Sequence, residues 1–77
     1  MFVYDCVMEQ LHDPCIGTYT SFGIAAYSAS QGRRRRVSFI SDVSVDQNKV
    51  AQLAELCTAG QLEPCQLMDV VEDALAE

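Results

Sequence analysis

The architecture of the chain follows from residues 17–44, which have the sequence GTYTSFGIAAYSASQGRRRRVSFISDVS. The first part, at about 17–28, alternates in the way typical of a β-strand, whose successive side chains point to opposite faces. One face carries Phe22, Ile24 and Ala26, and the other carries Tyr19, Ala25 and Tyr27. Gly23 leaves a gap in the pattern, which predicts a bulge or a close approach by a neighbouring segment.

Two further strands flank this one. Residues 29–32 are small and polar, as hairpin connections are, and alternation resumes at about 34–44 with Val37, Phe39 and Val43 on one side. Upstream, residues 2–10 alternate as well, and Pro14 ends that strand because proline lacks the amide that a sheet requires. The three segments predict an antiparallel meander, which needs a cover for one face.

The second half of the chain changes to the period of a helix. Asp46 is a suitable N-cap, and the apolar row that begins at Val50 predicts a helix over about 47–59, with Gly60 as the C′ residue that ends it. Pro64 suits a first helical position and predicts a second helix over about 64–76. We therefore predict one α+β domain over residues 1–77, β-β-β-α-α, with the helical hairpin packed on one face of the sheet.

Composition and charge limit the classes of function. The 77 residues are 49% hydrophobic and 21% charged, which argues against disorder. No apolar run is long enough for a membrane helix, and residues 1–10 contain acids but no base, unlike a signal peptide. We therefore expect a cytoplasmic protein whose four cysteines are thiols. The net charge of −6 opposes steering to DNA as a whole, so nucleic-acid binding would need a local basic patch.

One such patch exists, the run Arg33, Arg34, Arg35 and Arg36. On a strand, Arg33 and Arg35 lie on one face and Arg34 and Arg36 on the other. Three interpretations stay open: a solvated hairpin tip whose like charges discourage edge pairing, a contact to an acidic protein surface, or phosphate contacts with stacking on Tyr27.

The second helix carries a cluster of acids. Asp69, Glu72 and Asp73 stand at i, i+3 and i+4 with no neighbouring base, and acids late in a helix oppose its dipole. Our hypothesis is that the arginines face this acidic helix, within the chain or across a dimer. The alternative is a solvated acidic face.

The second half also resembles a known family. The similarity rests on Asp42-Val43-Ser44-Val45-Asp46, on the apolar positions of both helices and on Asp69-Val70-Val71-Glu72-Asp73-Ala74-Leu75, and it extends to Tyr19–Ala25. These residues resemble a family of short bacterial proteins known only as a domain of unknown function. The resemblance implies a small cytosolic bacterial protein and supplies no activity or catalytic residue. The four arginines depart from the family pattern.

Sites for chemistry are sparse in this sequence. His12, Asp13 and Cys15 share a loop, but the cysteine spacings C-x8-C and C-x7-C lack the knuckle of a zinc ribbon. There is no phosphate-binding glycine loop and no G-x-S-x-G elbow. We therefore expect no catalytic residue, no metal and no cofactor, and a turn role for His12.

The predicted function follows from the sheet face that the helices leave open. That face would expose Tyr19, Ala25 and Tyr27, together with Val3, Val7 or Ile40, as an apolar patch. We therefore expect a non-enzymatic interaction or regulatory domain, as a homodimer or bound to another protein, with no membrane contact. The alternative is a small nucleic-acid-associated regulator that uses the arginine run.

Overall fold

The computed structural model describes residues 1–76, so the last residue of the predicted domain lies outside the described part. The strands are β1 (Phe2–Asp13), β2 (Gly17–Ser30) and β3 (Arg33–Ser44). They form an antiparallel sheet in the order β1-β2-β3. Helix α1 (Gln47–Ala59) follows, and a 3-10 turn (Pro64–Gln66) leads into α2 (Leu67–Leu75). Both helices contact the sheet, which confirms the predicted α+β fold.

The strands are longer than predicted because the turns are tight. β1 continues to Asp13, whose Oδ1 accepts hydrogen bonds from the amides of Cys15 (2.7 Å) and Ile16 (3.3 Å). The strand thus ends directly before Pro14, three residues later than the predicted bound, and Pro14 lies in the turn. At the other hairpin, Gln31 and Gly32 have φ of 52° and 75°, the two positive values of a type I′ turn.

β3 does not keep a simple alternation. Its register against β2 shifts between Phe22 and Ile24 and again between Ala26 and Tyr27. Because of these bulges Phe39 pairs opposite Ala25 on one face, whereas Val43 is buried in the core on the other. The prediction that Val37, Phe39 and Val43 share a side is wrong, since each bulge residue reverses the faces that follow it.

The hydrophobic core lies between the sheet and the helices. It contains Tyr4, Phe22, Ile24, Ala26, Val43, Val50, Ala54, Cys57, Leu67 and Val71. Ile40 packs against this core, so it does not lie on the open face as predicted. Leu67 is fully buried, and burial of such a side chain stabilises a fold by about 1.5–3 kcal/mol.

Helix α1 begins as predicted and ends differently. Asp46 caps it, because its Oδ1 accepts a hydrogen bond from the Lys49 amide. At the other end Gly60 has φ −84°, and Gln61 adopts the left-handed conformation at φ 48°. The amides of Gln61 and Leu62 donate back to the carbonyls of Thr58 and Cys57, which is the Schellman arrangement. The C′ residue is therefore Gln61, and the prediction of Gly60 is wrong.

Candidate functional site

The arginine run lies beside aromatic rings on the open face, the sheet face away from the helices. The guanidinium carbon of Arg34 is 4.7 Å from the centroid of the Tyr27 ring, and that of Arg36 is 4.6 Å from the Phe39 centroid. Arg34 also forms an ion pair with Asp5 on β1, at 3.0 Å between Nη2 and Oδ2. Each such stacking contributes about 0.5–1 kcal/mol at an exposed site. Arg34 and Arg36 therefore share the open face, as their alternation predicts.

The open face exposes less apolar surface than the sequence predicts. Ala25 is fully buried although no helix covers it, and Tyr19, Tyr27, Val3 and Val7 are only partly exposed. None of them belongs to the exposed large hydrophobic residues of the chain. Ala25 is therefore no part of an exposed patch, whereas contact through the partly exposed Tyr19, Tyr27, Val3 and Val7 stays a prediction.

The other end of the open face holds an acidic cluster. Asp42, at φ 55°, accepts hydrogen bonds from the hydroxyls of Ser21 and Tyr19 (2.8 Å), which lower the pKa of its carboxyl. Donation to Asp42 raises the pKa of Tyr19 in turn. Glu9 accepts from the Ser41 hydroxyl and the Asp42 amide, each at 2.9 Å. These contacts lie at the register shift between Phe22 and Ile24, and only Tyr19 among the residues involved was predicted as a site residue.

The acids of α2 are exposed and do not meet the arginines within one chain. Asp69, Glu72 and Asp73 all lie on the solvent side of α2. Among residues 1–76 no ion pair joins them to the arginine run, whose one ion pair goes to Asp5. The intrachain form of the pairing hypothesis is therefore not found, and contact across two copies stays a prediction.

The helix layer contains an apolar cleft that the sequence did not predict as a site. The helix-layer cleft has a volume of about 230 Å³ and is lined by Leu53, Leu56, Cys57, Gly60, Leu62 and Val70. Leu56 at its rim is 70% exposed. Glu55, Glu63 and Asp69 lie nearby in sequence, and the chain has no lysine or arginine after Lys49. The available signal was Leu56 itself, an apolar residue one position away from the buried stripe of α1.

A second unpredicted feature is the outer edge of β1. The Gln61 carboxamide accepts from the Phe2 amide and donates to the Phe2 carbonyl, both at 2.9 Å. The Thr58 hydroxyl accepts from the Tyr4 amide at 2.9 Å. Thr58 near the end of α1 and Gln61 just after it thus cover the first part of an edge strand. The contact links residues more than fifty positions apart, so no local pattern indicates it.

Among the remaining residues considered for chemistry, His12 is exposed and lies in β1 opposite Thr18, so the predicted turn role is wrong. Asp13 is occupied in its turn, and all four cysteines are free thiols. Burial raises the pKa of Cys57 and of Cys6, which makes both thiols weaker nucleophiles. Within residues 1–76 no three His, Cys, Asp or Glu side chains are grouped so that they could hold a metal ion. The helices of this same segment are too short or too polar to cross a membrane.

Comparison with known proteins places the chain in a family. A model described as "Family of unknown function (DUF6514)" matches residues 1–77, and the chain therefore belongs to this family. This agrees with the resemblance to a domain of unknown function. No curated protein and no solved structure matches the chain.

Proposed function

We propose that this member of the DUF6514 family is a non-enzymatic domain that binds another protein through the helix-layer cleft. The observation that carries the proposal is the exposure of Leu56, 70%, at the rim of an apolar cleft. Exposed apolar side chains around a concave apolar surface are typical of contact sites between proteins. The cleft of about 230 Å³ is smaller than the roughly 300–1,000 Å³ of a small-molecule site, and it suits a single anchoring side chain.

The charges around the cleft favour a basic partner. Between Val50 and Ala76 the chain carries acids only, among them Glu55, Glu63 and Asp69. An approaching acidic segment would be repelled, whereas lysine or arginine beside an apolar anchor would meet opposite charge at the rim. The partner we propose is therefore a segment with an apolar residue flanked by basic ones, such as one face of an amphipathic helix.

The alternative, contact to nucleic acid through the arginine run, has weaker support. Arg34 already pairs with Asp5, and it covers the Tyr27 ring that would otherwise stack on a base. Glu9 and Asp42 add negative charge to the same face. Arg33 and Arg35 remain, and two phosphate contacts give only weak binding at physiological salt.

A direct test uses two designed peptides of equal length. A fluorescent amphipathic peptide of leucine and lysine should bind the protein, and its leucine and glutamate counterpart should not. The substitution Leu56→Lys should weaken binding at least tenfold, because it places a charge at the apolar rim. Val45→Lys is the matched control, since Val45 is 68% exposed and lies before α1, outside the cleft lining.

Two results would reject the cleft as the binding site. One is equal affinity for Leu56→Lys and Val45→Lys, which would mean that net charge alone governs the interaction. The other is equal binding of the basic and acidic peptides. A labelled single-stranded oligonucleotide measured beside them tests the alternative, because binding at low salt that is lost with Arg33→Ala and Arg35→Ala would favour nucleic acid.

A further inference from the structure

The backbone of β1 has unused hydrogen-bonding groups along its free edge. In an antiparallel edge strand, the amides and carbonyls of alternate residues point away from the sheet. The contacts of Phe2 and Tyr4 with Gln61 and Thr58 show that the even-numbered residues of β1 point outward. The same alternation applies to Cys6, Met8, Gln10 and His12. In the described part of the chain, no side chain and no other backbone group bonds the main chain of these four residues.

The two edges of the sheet differ in their protection. β3 begins with four arginines and contains two bulges, and both features discourage pairing with another strand. β1 pairs with β2 from Phe2 to Asp13 without a register shift, so its outer edge is regular. Between Cys6 and Leu11 the only charged residue is Glu9, and its carboxylate is bound to Ser41 and the Asp42 amide. The outer edge of β1 between Cys6 and Leu11 therefore lacks the free charges and bulges that usually discourage pairing with another strand.

We propose that β1 pairs antiparallel with β1 of a second copy about a twofold axis at Met8, which joins two sheets into one of six strands. Met8 would exchange both backbone hydrogen bonds with the partner's Met8, and Cys6 with the partner's Gln10, for about six bonds in all. The pairing would end there, because Thr58 and Gln61 occupy the outer edge of Tyr4 and Phe2. The Met8 side chain, 66% exposed in one copy, would become buried against its equivalent.

Charge supports this register. With the axis at Met8, Glu9 lies opposite the partner's Val7 and Asp5 lies opposite the partner's Leu11, so no acids face each other. An axis one residue away in either direction places Glu9 opposite an acid of the second copy. Like charges directly opposite each other destabilise a strand pair. The dimer expected from the sequence is thus proposed at the edge of β1 and not at the open face.

Sedimentation equilibrium of the whole protein and of two variants, Met8→Pro and Met8→Ala, tests whether the outer edge of β1 forms the dimer. We expect a dimer for the wild type. Met8→Pro removes an amide that points outward and keeps the bonds between β1 and β2, so it should fold and weaken the dimer at least tenfold. Met8→Ala keeps this amide and should weaken the dimer less. Circular dichroism establishes that each variant is folded.

A pair of lysine variants keeps the result decisive if Met8→Pro unfolds. Met8→Lys should weaken the dimer, because a charged edge resists pairing, whereas Leu56→Lys should leave it unchanged. A monomeric wild type at about 100 μM would overturn the proposal, as would a dimer that Leu56→Lys disrupts and Met8→Lys does not. Binding of the basic peptide is measured separately on Met8→Lys, so the edge and the cleft can fail independently.

Discussion

The substitution Gly23→Ala tests the packing of the sheet most directly, because an added methyl group has no space there. A Cβ at this position would lie 2.5 Å from the Ile40 carbonyl oxygen and 3.1 Å from two carbons of the Phe39 ring. The ring could rotate, but the carbonyl is part of β3, so β3 would have to move away from β2. Overpacking of this kind costs about 1–3 kcal/mol, and a backbone clash belongs to the upper part of that range.

The expected loss is large enough for routine measurement. At about 2–3 kcal/mol, and about 4–8 °C per kcal/mol for a domain of this size, Gly23→Ala should lower Tm by about 8–24 °C. Gly60→Ala is the matched control. A Cβ at Gly60 would meet only the Leu56 carbonyl oxygen, at 3.4 Å, and the φ of −84° is one that alanine adopts without strain. Gly60→Ala should therefore stabilise the domain by about 0.4–1 kcal/mol. Urea unfolding that shows a loss below about 0.5 kcal/mol for Gly23→Ala would refute the close approach.

Three other predictions concern the edge, the arginines and the acidic cluster. Gln61→Ala should destabilise the domain by about 1–2 kcal/mol in urea unfolding, since it removes two hydrogen bonds to Phe2 and keeps a left-handed residue; an unchanged midpoint would contradict the cover of the edge. Arg34→Ala should lower the free energy of unfolding by about 0.5–1 kcal/mol, and Arg33→Ala should leave it almost unchanged. Equal effects of the two substitutions would mean that the stacking of Arg34 on Tyr27 does not stabilise the fold. Because the pKa of Asp42 is lowered in the folded state, its contribution to the free energy of unfolding is complete above about pH 4 and is lost as the pH falls further. Asp42→Asn should therefore lose less stability than the wild type on acidification. Parallel profiles of unfolding free energy against pH for the two proteins would exclude this.

The arginine run illustrates how tertiary contacts change the meaning of a motif. Considered alone, the sequence leaves the four consecutive positive charges open to three interpretations: a solvated hairpin tip, a contact to an acidic protein, or phosphate contacts. In the structure Arg34 and Arg36 cover aromatic rings, and the whole run lies on an edge strand. A hairpin tip whose like charges discourage edge pairing stays a prediction, and these contacts leave only Arg33 and Arg35 without a ring partner.

Local signals were sufficient for the order and type of the elements. Alternation along β1 and β2, the turn residues before Arg33, the N-cap Asp46 and the helical spacing from Val50 each depend on neighbours within about one turn or one strand. The bounds of α1 were predicted to the residue for the same reason. The faces of β2 were also predicted correctly, because β2 has no bulge that shifts its own alternation.

Contacts between distant residues decided the rest. The bulges of β3 reverse the face of Val43, and the carboxamide of Gln61 reaches Phe2 from the other end of the chain. The cleft beside Leu56 is lined by residues of α1, of the loop after it and of α2, so it forms only where these segments pack together. Periodicity describes how a segment presents its own side chains, but which groups remain exposed depends on the segments that pack against it. The sequence thus determined the elements, and only their packing determined which surfaces are left for a partner.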